Sequence, residues 1–136
     1  MTKKKTGLGS KKQENQLVKD RGVLVSFFLR SGLAIVFFYA ATAALLSPDS
    51  WVGFIPQFVR NIIDPYLFLK IHFAFEAILG LWLLSNKKIF YAAVIAVLDL
   101  LSIIIFNIGA LDIVFRDITI LFAAIALAIL SYKKSD

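Results

Sequence analysis

Tyr66 to Leu84 reads YLFLKIHFAFEAILGLWLL, a run long and apolar enough to cross a bilayer that nevertheless carries Lys70, His72 and Glu76. A spanning helix needs about 20 mostly apolar residues. An ionisable group near its middle is costly unless it is paired. His72 and Glu76 are four apart and share one helical face, which Gly80 continues. That face is predicted to point at other helices and away from lipid. Two readings of it stay open: a buried pair that fixes packing, or a site for a proton, a quinone or an ion.

The composition of the whole chain agrees with a membrane setting. Of 136 residues 60% are hydrophobic, and the mean hydropathy is +0.82; a soluble domain carries about 45–50% apolar residues. Length bounds the chain to one small bundle. The net charge is +6, but the lysines sit in an N-terminal tail and at helix ends, so no nucleic-acid partner is called for. The absence of cysteine excludes a disulfide framework, thiol redox chemistry, iron–sulfur ligation and covalent haem attachment by this chain alone. A single histidine and the initiator methionine leave no zinc cluster and no bis-histidine haem within a protomer. No metal is assigned, although a carboxylate-based site stays open. No cofactor is intrinsic, so redox chemistry would borrow one or use a partner.

Outward from the deciding stretch, Asp64-Pro65 resets the chain on one side and Ser85-Asn86-Lys87-Lys88 makes a basic turn on the other. Before it, residues 22–46 form a first span interrupted by Arg30, and Ser47-Pro48-Asp49-Ser50 breaks that helix. Residues 51–63 are too short to span. Trp51, Phe54, Phe58 and Ile62 recur there at helical spacing, which predicts a short amphipathic interfacial helix. Pro56 can split it, and a loop packed over the bundle is the alternative. Residues 1–21 are polar and basic without a hydrophobic period, the composition of a disordered tail. After the turn, spans are predicted at 89–106, with Asp99 near its centre, and at 114–132, closing on Lys133-Lys134. Ala124 and Ala128 mark a small-residue face suited to close contact.

The fold class is therefore an all-α integral membrane four-helix bundle with an interfacial helix between spans one and two. Four spans put the tail, the Lys87-Lys88 turn and Lys133-Lys134 on one side, and Arg60 and Arg116 on the other. The positive-inside rule then assigns both termini to the cytoplasm. Arg30, about 12 Å into its span, is predicted to turn inward to a carboxylate and to form an internal cluster with Glu76 and Asp99. One carboxylate would pair with Arg30 and the other would be free to hold a proton. Arg116 and Asp117 open the last span as an outer-mouth pair, either capping the helix or reaching the cluster.

Four stretches follow one another along the chain: Arg30 followed by Phe37-Phe38-Tyr39-Ala40, then Trp51-Val52-Gly53-Phe54-Ile55-Pro56, then Glu76-Ala77-Ile78-Leu79-Gly80, then Phe115-Arg116-Asp117-Ile118. In that order and spacing the chain resembles the DoxX family of small four-helix membrane proteins, which includes DoxD-like subunits of thiosulfate:quinone oxidoreductase. The resemblance covers Ser26 to Leu130. It departs where many relatives place a lysine soon after the first span, since Ala41 to Leu46 contains none.

The resemblance implies a plasma-membrane accessory subunit that binds or positions a quinone, beside a redox partner subunit or a second copy, and not a stand-alone enzyme. Arg30 and His72 would donate to a quinone oxygen, and Glu76 or Asp99 would relay protons. The alternatives are a non-catalytic membrane scaffold, whose polar cluster specifies packing, and a small proton-coupled transporter.

Overall fold

A computed structural model describes residues 2–132, with side chains from residue 7 onward. Six helices follow in order: α1 (Thr2–Leu46), α2 (Asp49–Val52), α3 (Gln57–Arg60), α4 (Pro65–Leu84), α5 (Ile89–Phe106) and α6 (Leu111–Ser131), the last preceded by a 3-10 turn at Ile108–Ala110. The helices containing the four predicted spans, α1, α4, α5 and α6, are long and apolar enough to cross a membrane. Their outward faces carry large apolar side chains with no protein partner, such as Ile35, Ile78, Phe122 and Ile129. Such faces need lipid or another apolar cover.

Local chemistry sets the helix ends. Pro48 stops α1 because the residue before a proline is pushed out of the helical region. At the start of α4, Asp64 Oδ2 accepts from the Leu67 amide at 3.2 Å, with Pro65 in the first turn. The turn after α4 closes through two left-handed residues, Asn86 and Lys88, with φ of 62° and 47°. It is fastened by the Trp82 indole donating to the Lys87 carbonyl at 2.8 Å. Asn107 ends α5 by donating its amide to Ile103 O at 2.9 Å.

Two expectations need correction. Residues 2–21 are a continuation of α1 and not a disordered tail. No proline precedes Pro48, and the tail's Lys, Gln, Glu and Leu are good helix formers, so the first span propagates backward through it. The segment 51–63 is not one amphipathic helix: it holds the end of α2 and the whole of α3, two four-residue helices joined through a turn. Pro56 lies outside the helical region at ψ 146°, and the break turns Ile55 inward, where it is buried. Lys133-Lys134 lie outside the described residues.

The long helices pair α1 with α4 and α5 with α6, the two pairs meeting more loosely along α1–α6 and α4–α5. Small residues permit the close pairings. Ala92, Ala93 and Ala96 of α5 and Ala124 of α6 are fully buried in the main core with Leu33, Phe37, Leu79, Leu83 and Leu127. In α4, a Cβ on Gly80 would stand 3.0 Å from the Phe38 ring, so the α1–α4 approach relies on the missing side chain. A second core of Ala41, Ala44, Ile55, Leu69 and Phe73 lies beneath residues 51–60.

Residues 49–60 thus form a cap over one end of the bundle, the alternative the spacing left open. Arg60 ties the cap to itself, donating from Nε to Ile55 O at 3.0 Å and from Nη2 to Val52 O at 2.8 Å. The Phe58 ring reaches Phe106 at the end of α5, with centroids 5.5 Å apart. Charged hydrogen bonds of this kind contribute about 1.5–3 kcal/mol each. Arg60→Ala is therefore expected to speed hydrogen exchange of the cap amides by about tenfold or more, leaving α5 and α6 protected as before. Unchanged exchange at residues 52–60 would show that Arg60 does not hold the cap.

Candidate functional site

The site is built on the looser α4–α5 seam. His72 and Glu76 project from one face of α4 and meet Asp99 of α5. His72 Nε2 lies 3.4 Å from Glu76 Oε1 and 3.8 Å from Asp99 Oδ1. The side chains of Glu76 and Asp99 are 7% and 8% exposed, that of His72 26%. Phe68 and Phe75 flank the imidazole on the same helix, with centroids 6.0 and 6.2 Å away. The second carboxylate oxygen of Asp99 is buried with no hydrogen-bond partner. Ser102 cannot serve it, because its hydroxyl donates to the Asp99 backbone carbonyl at 2.7 Å.

A cavity of about 450 Å³ opens over this cluster, beneath the cap and between α4, α5 and α6. Its walls are mainly aromatic and aliphatic, with Trp51, Phe54, Ile55 and Phe68 among them, and its polar end holds His72, Glu76 and Asp99. This size lies within the about 300–1,000 Å³ of small-molecule sites. Both close contacts of His72 are long for hydrogen bonds, so its Nε2 can turn to a better acceptor placed in the cavity.

The predicted residues are only partly brought together. His72, Glu76 and Asp99 converge, and Arg116 and Asp117 line the same cavity. Both ion pairs among the described residues are made by His72, so Arg116 does not pair with Glu76 or Asp99. Arg30 stands apart, which corrects the predicted Arg30–carboxylate pair. It donates from Nη1 to Leu83 O at 3.4 Å and lines a separate cavity at the other end of the bundle. Leu83 lies seven residues past Glu76, about 10 Å along the helix axis. The basic group nearest the carboxylates is therefore the histidine on their own seam.

The cap residues and Phe68 are additions that sequence reasoning did not place in the site. Phe68 had a signal, since Phe68, His72 and Glu76 recur every four residues. For the cap residues the signal was Pro56, whose break allows a segment packed over the bundle, but the spacing does not say which of them face α4 and α5. His72, Glu76 and Asp99 also present three ligand atoms within 4.8 Å of one another. One imidazole and two carboxylates could hold a divalent cation if drawn slightly closer.

By its helices and its buried polar cluster, the molecule falls in the class of small all-α proteins with four helices long and apolar enough to cross a membrane. Compared with protein-family models, with curated proteins and with solved structures, the chain matches none of them.

Proposed function

We propose that the chain is a multi-pass protein of DoxX type, with cytoplasmic termini, that binds a quinone-like lipophilic ligand under the cap as an accessory subunit of a redox system in the plasma membrane. One observation carries this reading: an apolar cavity inside the bundle ends on a His–Glu–Asp cluster in which a buried carboxylate oxygen lacks a partner. Such an oxygen is costly to leave unmet, and a ligand hydroxyl would meet it.

The residues fit a ring bearing two oxygens. His72 Nε2 can donate to a ligand carbonyl, Glu76 holds the imidazole in position, and Asp99 can accept a proton from a ligand hydroxyl or return it. Trp51, Phe54 and Phe68 would cover the ring faces and exclude water. A bound quinone would supply two-electron, two-proton chemistry, and the electron donor would come from a partner.

Native mass spectrometry of the protein in mild detergent, with lipid and quinone analysis, tests the assignment. A quinone retained by the unaltered chain is expected to be lost from Glu76→Gln and Asp99→Asn, with affinity falling about tenfold or more if one charged hydrogen bond is removed. Quinone binding indifferent to both substitutions would overturn it. The convergence of three ligand atoms within 4.8 Å favours a second reading, a divalent cation at the same cluster. Metal analysis of the same sample separates the two, since this reading requires a stoichiometric cation lost on Asp99→Asn.

A further inference from the structure

At the opposite end of the bundle from the cap, three segments contribute polar side chains to a second cavity of about 410 Å³. Ser26 and Arg30 come from one face of α1, Asn86 and Lys88 from the turn between α4 and α5, and Ser131 from the end of α6. Each of these five side chains can donate a hydrogen bond, and among the described residues no carboxylate lines the cavity. Ser26 and Ser131 are buried. Arg30 Nε is buried without a partner, and Nη1 makes a long contact of 3.4 Å to Leu83 O. A guanidinium cannot shed its proton to escape this setting. Its charge therefore calls for an anion, and among the described residues the protein supplies none within ion-pair distance.

We infer that this cavity is a binding site for a phosphate group, held by the Arg30 guanidinium and the Lys88 ammonium and completed by the serine hydroxyls and the Asn86 amide. A tetrahedral oxyanion offers acceptors in several directions, which suits donors converging from three segments. The fork of Arg30 and the point charge of Lys88 are complementary ways to hold it. The site lies where two candidate spans turn, the level at which lipid headgroups lie in a bilayer. Val23 and Ile89 add apolar wall. The phosphate can come from an anionic membrane lipid or from solution; the cavity is larger than a lone phosphate needs, as a headgroup requires. The inference is independent of the ligand under the cap.

The test uses the full chain, purified in detergent, delipidated and titrated with phosphatidylglycerol, phosphatidylcholine or inorganic phosphate, with binding read by native mass spectrometry and thermal shift. Phosphatidylglycerol is expected to bind about tenfold tighter than phosphatidylcholine, and Arg30→Gln and Lys88→Gln to remove that preference. Stabilisation by inorganic phosphate, lost in the same variants without discrimination between lipids, would assign the site to soluble phosphate and equally support it. If Arg30→Gln does not fold, Lys88→Gln, at an exposed position in the turn, decides alone. A chain with no lipid preference and no phosphate effect, or with either one unchanged in the folded variants, would overturn the inference.

Discussion

Ala124→Leu is expected to destabilise the bundle by about 1–3 kcal/mol, the range for forcing a larger side chain into a packed core. Ala124 is 0% exposed and shares its core with Ala92, Ala93 and Ala96 on the facing helix. The α5–α6 approach is close because all four are small. In a soluble core, a leucine would recover part of the loss by leaving water. For helices that span a bilayer, as proposed, that compensation is absent, because the acyl chains are as apolar as the leucine. Unfolding of purified protein in mixed detergent micelles measures the effect. Phe122→Leu, on an outward face at 65% exposure, should leave the midpoint almost unchanged. Equal stability of Ala124→Leu and the unaltered chain would mean that this helix pair is not close-packed.

His72→Leu is expected to be at least as damaging, at about 3–5 kcal/mol if a buried charge pair is broken from one side. His72 Nε2 lies close to both carboxylates, at 3.4 and 3.8 Å. Without it, Glu76 and Asp99 are left at the α4–α5 seam with no imidazole between them. The signature is the shape of a mutant cycle more than the size of one loss. Glu76→Gln placed on His72→Leu should restore part of the stability, although the same change alone removes a partner from the histidine. Neighbours in one electrostatic unit couple in this way. Strict additivity of the two changes would show that the cluster does not act as a unit.

Much of this architecture could be read from residue order, and the failures share a physical cause. Apolar length places the long helices, and the chemistry of Asp64-Pro65 and Ser47-Pro48 places their ends. Spacing of four puts His72 beside Glu76, because helical geometry is local. Arg30 went astray because sequence gives depth along a helix and not the neighbour it faces. Its level is that of Leu83, set by how α1 lies along α4. The cap had the right apolar residues in the wrong geometry. Its amphipathic spacing was real, but Pro56 breaks the helix that would have expressed it, and Ile55, off the predicted stripe, became the anchor. The polar stretch up to residue 21 differs from its expectation for the converse reason: composition without an apolar period says nothing against a helix that an adjoining span has already nucleated.

Trp82 and Trp51, the chain's two tryptophans, sit at opposite ends of the molecule. The Trp51 ring borders the capped cavity, while the Trp82 indole is bonded to the turn that carries Lys88. Each cavity therefore has its own built-in fluorophore. Replacing one tryptophan by phenylalanine leaves the other as a spectroscopic reporter of its own end. Changes under the cap and at the basic turn could then be followed separately in one sample, with no label attached.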